Sequence, residues 1–461
     1  MMNRDIIAKI KAIVGSENVL ETLEERICYS YDGTMQRGIP ALVVLPDNPQ
    51  EIAEIMQLAN KNEFPVFPRG AGTGLSGGSI PMEKGIALIL SRMNRIKEIS
   101  REDLLAVVEP GVITEHLHHA VEKEGLFYPP DPASLKTCTM GGNVAENAGG
   151  PRAFKYGVTK DYVLGLEVVT PQGRIMRTGG RTVKNVTGYD LTRLLTGSEG
   201  TLGIITEIIV RLLPKPQTVQ TVMAIYDKID DAAQTVTSII CRGIIPATLE
   251  LMDQTTIRCV EDYLHLGLPL DAGAILLIEA DGAPGQVSEE IKQIAEACQD
   301  AGCRKVQVAR DAKDRGDLWK ARRAVSSAIV QLKPTKISED ATVPRNKIPD
   351  MVRRLKAIAD KYQLHLPVFG HAGDGNLHPN IVADKEDHEE MERVEQAVAE
   401  LFQAALDLGG TLSGEHGVGL MKKPYLAWEV GDVGVEYMKA IKDAVDPKGI
   451  LNPGKIFQVM R

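Results

Sequence analysis

The segment R-G-A-G-T-G-L-S-G-G at Arg69–Gly78 decides the fold, because it directly follows the short apolar run P-V-F-P. It contains the spacing G-x-G-x-x-G at Gly72, Gly74 and Gly77, which is typical of a Rossmann dinucleotide loop. However, the glycines that follow and Pro81 interrupt any helix at once, and no acidic residue ends a strand about 20 residues further on. No G-K-[ST] follows either, which excludes a P-loop. We interpret the loop as a nest of backbone amides for a pyrophosphate, with a flexible loop without ligand as the alternative.

Two further glycine-rich clusters indicate a large cofactor. The first, D-P-A-S-L-K-T-C-T-M-G-G-N-V-A-E-N-A-G-G at Asp131–Gly150, offers hydroxyls and amides to a polar ligand. The second, G-S-E-G-T-L-G-I-I-T at Gly197–Thr206, places glycines before a strand, where the backbone can approach a flat ring closely. Three such loops imply a ligand with both anionic and planar parts. Among the common cofactors, FAD fits this description best.

Two segments near the C-terminus carry a candidate metal site, F-G-H-A-G-D-G-N-L-H-P-N at Phe369–Asn380 and S-G-E-H-G at Ser413–Gly417. Together they contain three of the nine histidines and a glutamate, namely His371, His378, His416 and Glu415. Imidazole with carboxylate suits zinc, iron or manganese. The spacing across two glycines predicts that His371 and His378 flank a tight turn and converge. The alternative is a glycine-rich turn with polar histidines.

Composition excludes several classes of protein. The length of 461 residues predicts about two or three domains, and the net charge of −9 argues against a general nucleic-acid binder. The charged start and the absence of an apolar run of about 18 residues predict a cytoplasmic protein whose contact with a membrane would pass through a partner. The six cysteines are scattered without a C-x-x-C or iron–sulfur motif. We therefore expect reduced thiols and no cluster in this chain.

The order of apolar runs predicts an α+β protein in two blocks. The first begins with a strand at Ala41–Pro46, a helix at Glu51–Lys61 and a strand at Pro65–Pro68. Pro214 and Pro216 then punctuate the chain, and a second block of strands and helices begins near Val219. The helix predicted at Leu318–Leu332 in this block would carry Arg322 and Ser326 on one face.

The three loops, in this order, resemble the FAD-binding domain of the vanillyl-alcohol oxidase/p-cresol methylhydroxylase superfamily. With the segments G-H-A-G-D-G-N-L-H and G-E-H-G, the chain is similar to the 2-hydroxy-acid branch, which includes the flavin subunit of glycolate oxidase, FAD-linked D-lactate dehydrogenase and D-2-hydroxyglutarate dehydrogenase. The resemblance implies a two-subdomain FAD-binding domain of the p-cresol methylhydroxylase type at 40–215 and an α+β substrate-cap domain with a metal site at 216–420. An N-terminal helical segment would occupy 1–39, and a C-terminal segment at 421–461 would return to the FAD domain.

The resemblance also implies the cofactor contacts. Pyrophosphate contacts are carried onto Arg69, Gly70, Ala71, Gly72, Thr73, Gly74, Leu75 and Ser76. Flavin and ribityl contacts are carried onto Asp131, Ser134, Thr139, Gly141, Gly142, Asn143, Asn147, Gly149, Glu199, Gly203 and Ile204. Members that tether FAD do so through a histidine or cysteine beside these loops. Because Arg69–Gly78 holds neither, we expect noncovalent FAD, with Cys138 as the nearest thiol.

In the same branch, two histidines and a glutamate hold a divalent metal, which would be His371, His378 and Glu415 here. The adjacent His416 matches the catalytic base. An arginine and a lysine bind the substrate carboxylate, and the best matches are Arg322 and Lys336, with the neighbouring Arg323 as the alternative to Arg322. Asn380 matches a substrate-contacting asparagine.

The expected reaction is oxidation of a small 2-hydroxy acid, D-lactate or glycolate, to the 2-oxo acid. His416 would take the hydroxyl proton and the flavin would take the hydride. Without a cluster in the chain, we expect an external acceptor, such as an iron–sulfur subunit, an electron-transferring flavoprotein or a quinone. The alternatives are a catalytically silent FAD-binding relay subunit and an FAD enzyme similar to an ether-lipid synthase.

Overall fold

The computed structural model describes residues 2–82 and 84–458, which divide into two compact units. Unit 1 comprises Met1–Gly149, Val158–Lys215 and Glu415–Arg461, and unit 2 comprises Gly150–Gly157 and Pro216–Gly414. Helices and strands mix in both units, which confirms the predicted α+β class. In the described part of the chain, no helix has the length and apolar content needed to cross a membrane.

The α-helices are α1 (Arg4–Val14), α2 (Leu23–Ile27), α3 (Pro49–Asn62), α4 (Thr114–Lys123), α5 (Met140–Glu146), α6 (Ala153–Tyr156), α7 (Leu191–Leu195), α8 (Ile229–Cys241), α9 (Gln254–Leu264), α10 (Pro284–Asp300), α11 (Ala312–Ile329), α12 (Ile348–Tyr362), α13 (His388–Asp407) and α14 (Leu426–Val445), the last kinked at Gly431. The strands of unit 1 are β1 (Val19–Leu20), β2 (Leu42–Val44), β3 (Val66–Arg69), β4 (Ile86–Ile89), β5 (Ile96–Ser100), β6 (Leu105–Val108), β7 (Leu126–Phe127), β8 (Val163–Val169), β9 (Ile175–Gly179), β10 (Ile204–Arg211) and β11 (Leu213–Pro214). The strands of unit 2 are β12 (Thr218–Tyr226), β13 (Thr248–Asp253), β14 (Ala274–Gly282), β15 (Lys305–Val308), β16 (Thr335–Ser338), β17 (Ala341–Thr342), β18 (Val368–His371) and β19 (Asn376–Ala383).

Two main sheets form the frame of unit 1. The first has the order β1-β2-β4-β3, with β2 and β3 parallel to β4, and the second has the antiparallel order β5-β6-β10-β8-β9. Helix α3 begins after Asn48, whose side chain accepts a hydrogen bond from the Glu51 backbone at 3.0 Å. Pro49 at the first turn supports the same start. The predicted strand–helix–strand order is therefore confirmed, and β3 ends where the first glycine loop begins.

One antiparallel sheet with the order β15-β12-β14-β13-β18-β19-β16 forms the centre of unit 2, with β17 beside β19. Helices α9 and α11 bury apolar side chains against one face, in a cluster that includes Met252, Leu277, Val325 and Phe369. Helices α8 and α10 contact β12 and β14. Because β14 is covered by helices, nearly all of its residues are buried.

The helix predicted at Leu318–Leu332 differs at both ends from the observed α11. It begins six residues earlier, at Ala312, because the Asp311 side chain accepts hydrogen bonds from the backbones of Lys313 and Asp314 and caps the first turn. It ends at Ile329. Strand β13 and helix α9 were not predicted, because the mixed polar and apolar run T-L-E-L-M-D-Q-T-T-I has no clear period.

We predict that Leu277→Ala destabilises unit 2 by about 2–5 kcal/mol, because it removes a buried side chain and leaves a cavity in the α9–α11 cluster. The two tryptophans permit the measurement, since Trp319 packs against this cluster in unit 2 and Trp428 belongs to unit 1. In a Trp428→Phe background, urea unfolding followed by Trp319 fluorescence reports the change. The control is Leu270→Ala, whose side chain is 45% exposed. Equal midpoints for the two variants would contradict the assigned core.

Candidate functional site

The first glycine loop of unit 1 is held by its backbone. The chain from residue 70 to residue 78 forms turns and bends without a helix, which confirms that Arg69–Gly78 is not a Rossmann loop. The backbone of Gly33 donates to the Gly74 carbonyl at 2.9 Å, and that of Leu420 donates to the Ser76 carbonyl at 2.8 Å. Segments from both ends of the chain thus fix the loop.

Polar groups in this loop fit a polar cofactor. The Ser76 hydroxyl is fully buried and has no hydrogen-bond partner among the described residues, so a ligand atom would satisfy it. The Arg69 side chain is also buried and donates to the Ser79 hydroxyl at 3.3 Å. Burial lowers the pKa of Arg69, and the carboxyl of Asp32 opposes that shift. A cation and backbone amides together suit a pyrophosphate.

The second glycine cluster contains helix α5, which the sequence did not predict because two glycines hide its helical pattern. The Thr139 hydroxyl caps it by accepting from the Gly142 backbone at 3.3 Å. The Asn143 amide donates to the Thr114 hydroxyl at 2.7 Å, and the Asn147 side chain accepts from the Lys160 backbone at 2.9 Å. These residues, which the sequence predicts as cofactor contacts, hold the shape of the loop through their side chains. The other predicted contacts of this cluster occupy the same stretch, namely Asp131, Ser134, Gly141, Gly142 and Gly149.

Glu199 anchors the C-terminal part of unit 1. Its carboxylate accepts hydrogen bonds from the backbones of Val418 and Gly419, both at 2.7 Å. The Asn452 amide donates to the Glu199 carbonyl at 2.7 Å and to the Gly78 carbonyl at 3.0 Å. The third glycine cluster is thus joined to the first one. Gly203 and Ile204, also predicted as flavin contacts, lead into β10.

Unit 1 contains two further carboxyl groups near the glycine clusters, those of Glu146 and Glu415. Burial raises the pKa of Glu146 well above its usual value, and the charges of Glu199 and Asp32 add to that shift. Burial and repulsion therefore both favour a protonated Glu146. Glu415 lies against the second glycine cluster, because a Cβ atom placed on Gly149 would be 2.6 Å from its Oε2.

In unit 2, strands β18 and β19 form a hairpin that carries the two histidines. Gly375 closes its turn with φ +90°, a conformation that few other residues adopt. The hairpin pairs His371 with Asn376 and Phe369 with His378. The ring centroids of His371 and His378 are 4.9 Å apart, which confirms that the two side chains converge.

A glutamate that the sequence did not predict lies beside this hairpin. Glu250 on β13 is fully buried, and its Oε1 is 2.7 Å from Nδ1 of His371. Its Oε2 accepts from Nε of Arg322 at 2.7 Å and forms an ion pair with Nη2 at 2.6 Å. Burial raises the pKa of Glu250, but His371 and Arg322 outweigh this effect and lower it overall. Arg322 is buried over the Phe369 ring, whereas Arg323 is exposed beside Trp319.

Asp340 provides a second carboxylate, next to the other histidine. Its Oδ1 is 3.3 Å from Nδ1 of His378, and its Oδ2 accepts from the Ser413 hydroxyl and the Gly414 backbone, both at 3.1 Å. Only at His371 does the structure give a carboxylate hydrogen-bonded to Nδ1, an arrangement that orients Nε2 for a metal. The donor chemistry of this hairpin fits a divalent cation.

Lys336 and Asn380 lie on the neighbouring strands β16 and β19. The Lys336 ammonium donates to the Ser326 hydroxyl at 2.5 Å, and burial lowers the pKa of Lys336. The Asn380 side chain is fully buried and donates to the His378 carbonyl at 2.8 Å. Its Oδ1 has no hydrogen-bond partner among the described residues. A bound ligand would satisfy this atom, and the substrate contact of Asn380 stays a prediction.

Comparison with protein families matches residues 40–179 to the FAD binding domain and residues 215–456 to the C-terminal domain of FAD linked oxidases. The chain belongs to the FAD-linked oxidase family. The match confirms FAD as the cofactor.

Curated relatives and a solved structure extend this result. The chain is 51% identical to "Glycolate oxidase subunit GlcD" of Bacillus subtilis, over 99% of this chain and 97% of the relative. It is 36% identical to "D-lactate dehydrogenase" of Anaerostipes hadrus, over 98% of this chain and 95% of the relative. A crystal structure of p-cresol methylhydroxylase with bound substrate aligns with a TM-score of 0.84 at 18% identity, covering 98% of this chain and 96% of that one. The predicted p-cresol methylhydroxylase type of fold is therefore confirmed.

Two buried carboxylates of this FAD-linked oxidase, Glu250 and Asp340, were missed by sequence reasoning. The available signal for Glu250 was a charged residue between Leu249 and Leu251 in a short apolar run. Charged side chains are seldom fully buried unless they are paired. A glutamate in a buried strand therefore indicates a partner elsewhere in the chain.

Proposed function

We propose that this chain uses FAD to oxidise a small 2-hydroxy acid, D-lactate or glycolate, to the corresponding 2-oxo acid. The observation that carries the proposal is the buried arrangement in unit 2, where His371 and Arg322 share the carboxylate of Glu250. It offers an imidazole and a cation to one small anionic substrate. The names of the relatives, glycolate oxidase subunit and D-lactate dehydrogenase, support the same class of substrate.

In this proposal, residues 40–215 and the C-terminal segment 421–461 bind FAD, and residues 216–420 bind the substrate. We infer noncovalent FAD, because Arg69–Gly78 holds no histidine or cysteine. Burial raises the pKa of the Cys138 thiol, which disfavours the thiolate needed to form a tether.

The two converging histidines support a metal site. We propose that His371, His378 and Glu415 hold a divalent zinc, iron or manganese ion. Asp340 and His416 also carry ligand atoms of suitable chemistry. When bound, such an ion lowers the pKa of a coordinated hydroxyl.

The side chains of this chain would perform the remaining tasks. Arg322 and Lys336 bind and orient the substrate carboxylate, and Asn380, whose amide oxygen is buried, contacts the substrate. His416 takes the proton from the substrate hydroxyl as general base. FAD, when bound, supplies the redox chemistry by accepting the hydride.

The electrons would leave through an external acceptor, such as an iron–sulfur subunit, an electron-transferring flavoprotein or a quinone. Two observations support this proposal. The Bacillus subtilis relative is named a subunit, and the six cysteines of this chain are all free thiols that the sequence scatters without a cluster motif.

The function can be tested by anaerobic flavin bleaching. Purified protein with bound FAD is mixed with a panel of 2-hydroxy acids of both hands, with simple alcohols as controls. We expect loss of the oxidised flavin absorbance with D-lactate or glycolate, since these acids carry the carboxylate that Arg322 and Lys336 would bind. Unchanged absorbance with every hydroxy acid would reject the proposed function.

We predict that His416→Ala keeps FAD and metal but slows flavin reduction by about 10²–10⁴-fold, the usual contribution of a positioned base. Stopped-flow absorbance gives the rate and elemental analysis gives the metal content. His371→Ala and Glu415→Gln are the comparison variants, and both should lose the metal while they keep FAD. Loss of metal from His416→Ala would instead identify His416 as a ligand.

Burial lowers the pKa of Lys336. We therefore predict that the KM for the hydroxy acid increases as the pH is raised, and that this increase begins below the usual lysine pKa of about 10.4. The ammonium that attracts the carboxylate is present below the lowered pKa of Lys336 and is lost as the pH rises through it. Steady-state kinetics across alkaline pH should show the step in wild type and not in Lys336→Met. Lys333→Met is the control, since that lysine pairs with Glu390. A step that persists in Lys336→Met would assign it to another group.

A further inference from the structure

We propose that Glu250 is a positioning residue that couples metal binding to carboxylate binding in unit 2. The inference rests on the proposed function and deepens it. It assigns a role to a residue that lies outside the glycine-rich and histidine-rich motifs of the sequence.

The geometry of Glu250 divides its two oxygens between two partners. Register places Glu250 on β13 directly opposite His371 on β18. One oxygen faces Nδ1 of His371, and the other accepts from Nε of Arg322 and forms an ion pair with its Nη2. The Glu250 side chain is fully buried and that of Arg322 is 9% exposed, so little water competes for these bonds.

For His371, the carboxylate fixes the tautomer. An acceptor at Nδ1 requires the proton on that nitrogen, which leaves the lone pair of Nε2 for a cation. A carboxylate behind the imidazole also raises its basicity, and loss of such a partner typically weakens metal binding by about 10–100-fold. Glu250 therefore prepares His371 as a ligand.

For Arg322, the same carboxylate sets the orientation and moderates the charge. The edge formed by Nε and Nη2 is committed to Glu250, while the Phe369 ring lies under the guanidinium at 4.7 Å from its centroid. The substrate can then use only the edge that includes Nη1. Because Glu250 partly compensates the cation, its negative charge limits how strongly Arg322 attracts a carboxylate.

The variant Glu250→Gln separates these roles. An amide has one acceptor oxygen, so it can serve His371 or Arg322 but not both, and its NH₂ group faces the other donor. We expect the dissociation constant for zinc to rise about 10–100-fold. At saturating zinc, kcat should fall while the KM for D-lactate or glycolate also falls several-fold, because Arg322 has lost its counter-charge.

The measurement uses the full chain with FAD. Metal is first removed, and zinc is then titrated against a chromophoric chelator, followed by steady-state kinetics. Glu390→Gln is the matched control, since Glu390 is a buried carboxylate paired with Lys333 in the same unit, and both constants should stay at wild-type values. A zinc affinity of Glu250→Gln within twofold of wild type would overturn the proposal, as would a KM that rises.

Two results keep the proposal distinct from the proposed function and from a folding defect. If wild type binds no metal and no hydroxy acid bleaches its flavin, the proposed function fails. If Glu250→Gln does not fold, ¹⁵N NMR of the metal-free wild type tests the proposal by identifying the tautomer of His371. The variant His371→Asn assigns the imidazole signal of His371. An Nδ1–H tautomer of His371 supports the proposal, and an Nε2–H tautomer overturns it.

Discussion

The pairing of buried charges on the sheet of unit 2 is the constraint on which the candidate site depends. Burial of an isolated charged group costs several kcal/mol even after relaxation, so such groups persist only with partners. Glu250, Asp340 and Arg322 are all buried, and each has a partner of opposite or compensating character. Loss of one member of such a pair would leave the other buried group without its counter-charge. Strand β13, helix α11 and the residues between β16 and β17 must therefore keep their relative positions for unit 2 to fold and for the site to exist.

Unit 1 meets a different constraint with different means. A glycine-rich loop has little side-chain packing to hold it, and each glycine adds conformational entropy that folding must overcome. The loop after β3 is instead fixed by backbone hydrogen bonds from Gly33 and Leu420, residues that are almost 390 positions apart. Glu199 and Asn452 add further bonds to the same region. The chain thus uses its own C-terminal part to order a glycine-rich loop.

Local patterns in the sequence predicted the elements whose signals are local. The strand P-V-F-P, the break of helix after it and the turn between His371 and His378 follow from glycine, proline and β-branched residues within a few positions. Helix α5 was missed because its glycines lower the helix propensity of a segment that its N-cap residue would otherwise start as a helix. The start of α11 was misplaced because the capping residue Asp311 lies outside the apolar pattern. The choice between Arg322 and Arg323 could not be made from spacing, because a difference of one position on a helix turns the side chain by about 100°.

Partners distant in sequence could not be predicted from either segment alone. Glu250 precedes Arg322 by 72 residues and His371 by 121 residues. The pairing of β13 with β18 brings Glu250 to His371, and the packing of helix α11 against the sheet brings Arg322 to Glu250. The histidine motif names a ligand, but it does not say which nitrogen carries the proton. That property is set by the carboxylate on the next strand. A site of this kind is therefore specified twice, by a short motif that supplies the ligands and by sheet register that supplies their orientation.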